Sequence, residues 1–300
     1  MLLGHPELDH LYIFQKKWRR SFPRRLLSDI VPFFRRLRAI KYDWAIDFQG
    51  LTKSGLAAYF SRARRVVGFG DTDGRELNKL FTNVKVSPEK GAHVVEKNLA
   101  LLQPLDIHDS KPEFVFPDTS GALDDSLVPD SPFAIVNPGA GWITKRLPLN
   151  TLANVGVELS NRVKIKVIVT WGPGEKDMAR KLTRIIQARG GNAFLAPPTD
   201  LRQLCALISK TSLFIGGDTG PTHIAAAMGI PVVSFFGSSD ARRNHPYGRH
   251  CITIQKTKLP CVPCWKTRCP LKGDRHLACL KAITSEDLFR AALRVLEDKV

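Results

Sequence analysis

The densest polar chemistry in the chain lies at Gly216-Gly217-Asp218-Thr219-Gly220-Pro221-Thr222-His223. A carboxylate, two hydroxyls, an imidazole and several glycine amides fall together, just ahead of a short helical stretch. A turn of this kind offers backbone N–H groups and a helix N-terminus to phosphate oxygens. Two further glycine-bearing turns stand upstream, Asn137-Pro138-Gly139-Ala140-Gly141-Trp142 and Trp171-Gly172-Pro173-Gly174-Glu175. Lys145 and Arg146, just past the first of these, add positive charge. Neither the Walker spacing nor the dinucleotide fingerprint is present. Taken together, the three turns read as a nucleotide-diphosphate pocket. Asp218 can equally cap the helix that follows it, and His223 can approach a diphosphate or simply pack.

Other polar groups recur elsewhere. Cys261, Cys264, Cys269 and Cys279 place four thiols in nineteen residues, opening with Cys-x-x-Cys. A tetrahedral zinc site or packed free thiols both suit that density, and the spacings match no common ferredoxin pattern. Cys205 reads as core, and Cys251 as the head of a strand. Gln49, Lys53 and Ser54 fall where a strand, Asp43–Phe48, turns into a helix, a position that suits anions; the alternative is that Gly50 and Gly55 only permit tight packing. His93, near a helix start, reads as structural.

These residues need elements to position them. Apolar runs at 43–48, 65–69, 133–136, 165–170, 192–195, 212–215 and 232–237 alternate with helical stretches, so a parallel α/β sheet is expected in each half. Ligands then bind outside the carboxyl ends of the strands. Residues 117–132, rich in turn formers and acids, mark the boundary. The expected domains are 1–125 and 130–300. The second carries the Cys-rich segment 251–279 and a closing helix over 284–298, started by a Thr-Ser-Glu-Asp cap. Residues 11–14 read as a short strand. Residues 16–41 carry ten Lys/Arg against the single acid Asp29, with apolar residues at helical spacing after Leu26; Pro32 is expected to kink or restart that helix.

Composition bounds the class. Three hundred residues with 43% hydrophobic content support real cores. The net charge of +17 favours an anionic partner: nucleic acid, an acidic membrane surface or a phosphorylated substrate. No apolar run approaches the ~18 residues of a membrane span, and the N-terminus has no signal-peptide pattern. The expected setting is therefore intracellular, with the six cysteines outside any secreted disulfide framework.

The motifs Asp47-Phe48-Gln49-Gly50-Leu51-Thr52-Lys53-Ser54, Asn137-Pro138-Gly139-Ala140 with Lys145-Arg146-Leu147-Pro148, Trp171-Gly172-Pro173-Gly174-Glu175 and Asp218-Thr219-Gly220-Pro221-Thr222-His223-Ile224-Ala225-Ala226-Ala227 resemble glycosyltransferase family 9, the ADP-heptose:lipopolysaccharide heptosyltransferases. The resemblance implies a GT-B fold, two Rossmann-like domains facing a cleft. It implies inverting transfer of a heptose from ADP-heptose to the inner core of lipopolysaccharide, on a Kdo-lipid A type acceptor, with no required cofactor. The setting would be cytoplasmic, peripheral at the inner membrane. Carried over by motif, Lys145 and Asp218 are the catalytic candidates. Gly139, Arg146, Trp171, Gly172, Glu175, Thr219, Gly220 and His223 would bind the donor, and Gln49, Lys53 and Ser54 the acceptor. Zinc at the four cysteines would be structural. The family pattern starts with a strand and a Gly-Asp turn, whereas this sequence opens at a later point. About 50 residues, one βαβ unit, are therefore expected to be missing, and with them the Asp that serves as base, a group worth ~10²–10⁴-fold. Asp47 and Asp71 are weak stand-ins. The alternatives are a degenerate transferase that binds without turnover and, more remotely, a basic nucleic-acid-binding protein with a zinc module; the basic stretch lacks a reader motif.

Overall fold

The alternation of apolar runs and helical stripes forms two separate parallel sheets. The structure is a computed structural model describing residues 5, 7–13, 30–70, 74–108, 111–124 and 128–298. The chain divides into two units, Leu2–Glu113 and Phe114–Val300. Residues 114–132 fall with the second unit because Phe116, Leu123 and Val128 pack against its core. Among the described residues no helix is long and apolar enough to cross a membrane.

In the first unit, strands β1 (Trp44–Ile46), β2 (Arg65–Phe69) and β3 (Val84–Val86) pair in parallel in that order. Helices α1 (Val31–Ala39), α2 (Thr52–Phe60) and α3 (Val94–Ala100) accompany them. Val67, Phe69, Val86 and Leu101 form a small core. Pro32 lies in the first turn of α1 as its bounds stand, the part of a helix that tolerates its missing N–H. Residues 14–29, most of the basic stretch, lie outside the described residues. Residues 11–13 form no strand. His93 caps α3: its Nδ1 accepts the Val95 N–H at 3.2 Å, in keeping with a structural role.

The second unit holds β4 (Phe133–Asn137), β5 (Lys166–Val169), β6 (Ala193–Leu195), β7 (Leu213–Gly217), β8 (Val232–Phe236) and β9 (Cys251–Gln255). All pair in parallel in the order β6-β5-β4-β7-β8-β9. Numbered within the unit this is 3-2-1-4-5-6, the doubly wound order, with its switch point between β4 and β7. Every residue of β4, β7 and β8 is buried, as expected for strands covered on both faces. Alternate residues serve opposite faces. Ala134, Val136, Ile215 and Phe235 join the core that holds α4 (Leu149–Glu158), α5 (Lys176–Ala188) and α10 (Ser285–Glu297). Phe133, Ile135 and Phe214 join the core under α6 (Leu201–Ser209) and α7 (Gly220–Ala227). The apolar stripe Ala179, Leu182, Ile186 buries α5.

The closing helix α10 begins at a capping box: Thr284 Oγ1 accepts the Asp287 N–H at 3.1 Å, and Asp287 accepts the Thr284 N–H at 2.9 Å. Its Leu288, Phe289, Ala292 and Val295 are buried in the second unit's own core. Short helices α8 (Ala241–Asn244) and α9 (Ala278–Lys281) complete the unit.

Candidate active site

The three glycine turns leave the carboxyl ends of β4, β5 and β7, which are neighbours in the sheet. Asn137 ends β4 directly opposite Gly216, and its Oδ1 turns the chain by accepting the Gly139 N–H at 3.0 Å. A single 3-10 turn, Ile143–Lys145, then delivers Lys145. Its Nζ meets Asp218 Oδ2 at 2.6 Å and lies 4.6 Å from the centre of the Trp142 ring. Residues 73 positions apart in sequence are thus joined across the switch point.

Asp218 is the hub of the site. His223 Nε2 lies 3.2 Å from its other oxygen. Burial works to raise this carboxyl, but the bonds from His223 and Lys145, with the Lys145 charge, outweigh it and bring it from 3.8 to about 2. Helix capping, the alternative for Asp218, is not what its side chain does: the residue at the cap of α7 is Thr219, whose hydroxyl lies 3.1 Å from that of Thr222. The Thr222 and His223 N–H groups donate to the Thr219 carbonyl and Pro221 has none, so no side chain caps the Gly220 N–H at the start of α7. A Cβ placed on Gly220 would meet nothing within 4 Å, so the helix start opens onto clear space where an anion can approach.

Glu175 organises the second wall. It accepts the Gly172 N–H at 3.1 Å and pairs with Arg146 at 3.6 Å. Arg146 also donates through Nε, at 2.8 Å, and Nη2 to the Ala140 carbonyl. A Cβ on Gly139 would collide with Glu175 Oε2, so only glycine leaves that carboxylate its place. Trp171 gives its only donor to the Ala196 carbonyl at 2.9 Å; it forms wall, not polar contact.

The acceptor candidates sit elsewhere, in the first unit. Gln49 and Lys53 are exposed. Ser54 is not free: its hydroxyl donates to Asp47 Oδ2 and the Leu51 carbonyl, both at 2.9 Å. Asp47 itself is 4% exposed and accepts from Gln49 N, Gly50 N, Ser54 Oγ and Asn78 Nδ2. Its carboxylate is the keystone of the turn, with Gly50 at φ +64°, and it has no lone pair facing a substrate. That removes it as a stand-in base; Asp71 lies outside the described residues. Asn78, fully buried, was not visible as a partner from sequence, because 31 residues separate it from Asp47.

The six cysteines are free thiols. Among the described residues no group of three or more His, Cys, Asp and Glu is disposed to hold a metal ion. Burial pushes the Cys279 thiol up against the pull of the Leu280 N–H, and Cys261, Cys264 and Cys269 lie near enough to add to it. Cys269 Sγ accepts the Leu277 N–H at 3.4 Å. Cys251 packs against the core that holds Cys205, the one opposite the core that holds Cys279.

A doubly wound unit with a cation–carboxylate pair and a helix N-terminus at its switch point has its polar groups where open α/β sheets bind their ligands. Residues 30–274 match Glycosyltransferase family 9 (heptosyltransferase), and the chain belongs to that family. It is 30% identical to lipopolysaccharide heptosyltransferase 3 of Escherichia coli K12, over 99% of this chain and 86% of that protein. Against lipopolysaccharide heptosyltransferase 1 of Pseudomonas aeruginosa the identity is 28%, over 89% and 75%. Among solved structures, a family 9 glycosyltransferase of Veillonella parvula superimposes with a TM-score of 0.72 at 19% identity, covering 93% of this chain and 81% of that one. An E. coli heptosyltransferase solved with ADP gives 0.68 at 21%, covering 94% and 81%. The protein is thus a glycosyltransferase with an α/β fold of the GT-B class.

Proposed function

We propose that the chain transfers a heptose from ADP-heptose to the inner core of lipopolysaccharide, on a Kdo-lipid A type acceptor, with inversion at the anomeric carbon. The observation that carries this is the Lys145–Asp218 pair set beside the open start of α7. In this reading an acceptor hydroxyl oxygen bonds to the anomeric carbon while the bond from that carbon to the ADP oxygen breaks; the electron pair of that bond stays on ADP and the hydroxyl proton passes to solvent water. The charge left on ADP is met by Lys145 and by the amides at Thr219 and Gly220. Asp218, held at about 2, is too weak a base to take the hydroxyl proton; it holds Lys145 and His223 in place. Arg146 and Glu175 would face the ribose and sugar hydroxyls. Gln49 and Lys53 would meet the acidic acceptor sugar.

The chemistry takes no metal in this reading, because protein groups meet the diphosphate charge. Zinc on the four thiols would serve only the segment that carries them, and metal analysis of protein purified without added zinc tests it. Helix α1 carries Arg35, Arg36 and Arg38 and no acid, which supports a peripheral position at an anionic, cytoplasmic membrane face. The direct assay is ADP release from ADP-heptose in the presence of Kdo-lipid A. Release dependent on the acceptor is expected, and no binding of ADP at all would overturn the reading. The full engagement of Asp47 favours one alternative, donor binding without turnover; its signature is ADP affinity with no ADP release.

A further inference from the structure

The segment 256–277 contains no strand or α-helix, only the 3-10 turn Gly273–Arg275. A stretch of that length without regular structure in an ordered domain commonly has work to do. It is moored on the core by Leu259, Val262 and Leu277, and it leads into α9, where Cys279 is buried. Its other anchorage is polar and lies directly behind Lys145.

Thr144, 2% exposed, is the branch point. Its hydroxyl donates to the Lys266 carbonyl at 2.6 Å and accepts from Ser238 Oγ at 2.9 Å. The Ser238 N–H donates to the Thr144 carbonyl at 3.3 Å, and the Ser238 carbonyl accepts the Trp265 N–H at 2.8 Å. Four hydrogen bonds thus tie together the Lys145 turn, the end of β8 and the segment 256–277. The turn has no slack on its other side either. A Cβ on Gly237 would collide with the Thr144 carbonyl oxygen, and one on Gly217 would fall 2.7 Å from that of Lys145. A buried hydroxyl with every bond satisfied fixes geometry more tightly than an apolar side chain of the same size, which would only fill the space. Fixing residue 144 fixes the origin of the next side chain, whose Nζ must reach Asp218 at 2.6 Å.

We propose that Thr144 is a positioning residue of the transferase site: it locks the strap 256–277 and Ser238 to the turn that aims Lys145. The inference rests on the reading of Lys145 as a ligand of the donor diphosphate. It gives the Cys-rich strap a part in donor binding, through the backbone carbonyl of Lys266 and not through a side chain that touches substrate.

The test is a double-mutant cycle on the full chain, with ADP affinity measured by titration calorimetry. Thr144→Val is expected to weaken ADP binding about tenfold, within the range by which residues that do not touch a ligand alter its affinity. Thr144→Ser, which keeps the hydroxyl, should restore affinity to within about twofold. Lys145→Met should weaken ADP binding by at least as much as Thr144→Val, and the Thr144→Val effect should vanish in its background. If the two effects multiply instead, or if Thr144→Ser is no better than Thr144→Val, Thr144 supports only the fold and the proposal fails. If Lys145→Met alone leaves ADP affinity unchanged, it is the reading of Lys145 that fails. Ser238→Ala removes one link of the same network while leaving the Thr144–Lys266 bond; should Thr144→Val not fold, the cycle is run with Ser238→Ala and the same outcomes decide.

Discussion

At the scale of residues, Asp218 carries the most information. Its carboxyl is depressed to about 2 from 3.8. A group that binds its proton less tightly when folded adds stability above its unfolded pKa and loses it as pH falls through the folded one. The contribution, about 2–3 kcal/mol for a shift of this size, is therefore full near neutrality and fades between about pH 4 and pH 2. Asp218→Asn should lower unfolding free energy by about that amount at pH 6–7, and the gap to the native protein should narrow steadily below pH 4. Chemical denaturation at a series of pH values measures this. A gap that stays constant down to pH 3 would show that Asp218 is not held by Lys145 and His223.

At the scale of elements, the site depends on how closely one turn is seated against strand ends. Gly217 and Gly220 are three residues apart and should respond differently. A methyl on Gly217 meets the Lys145 carbonyl at 2.7 Å and the Phe235 ring at 3.0 Å, so Gly217→Ala should cost about 1–3 kcal/mol in stability and displace Lys145. A methyl on Gly220 meets nothing within 4 Å, so Gly220→Ala should leave the melting temperature nearly unchanged and still weaken ADP binding, by standing where a phosphate approaches α7. Thermal melts with and without ADP separate the two. Undiminished stabilisation of Gly220→Ala by ADP would contradict the placement of the ligand at this helix start. The closing helix is a structural element by the same reasoning. Five apolar side chains of α10 lie within the second unit's core, which ties this helix to the unit that carries the candidate site.

At the scale of the molecule, the two units have separate sheets and separate cores, and the candidate donor site lies wholly in the second. Differential scanning calorimetry is expected to resolve two transitions. ADP at about 100 times its Kd should stabilise the unit 114–300 by about 2.7 kcal/mol, while the other transition moves by less than about 0.5 kcal/mol. Two transitions that shift equally would contradict a donor site confined to one unit. The net charge of +17 belongs to this scale too, as a field that draws anionic substrates and surfaces toward the protein.

Local patterning determined a good deal of this protein. Strand runs, helical stripes, the Thr284 cap and the glycine turns are local features, and the strands of the second unit formed within a few residues of where their patterns placed them, whereas 11–13 formed no strand and β3 carried no signal strong enough to be expected. The turns could also be assigned to one sheet edge, because a parallel doubly wound sheet carries all its strand ends there. Family membership was legible for the same reason, since its motifs are those turns. Contacts between turns were not legible. Nothing local distinguishes Asp218 as a cap from Asp218 as the partner of Lys145, 73 residues away. Nor does anything local reveal that Asp47 is bonded to Ser54 and to the distant Asn78, or join Thr144 to Lys266 across 122 residues. Such pairings arise only when strand order brings distant segments together. The tertiary structure decided which polar groups are satisfied by the fold and which face a ligand, because a side chain's chemistry is set by what surrounds it.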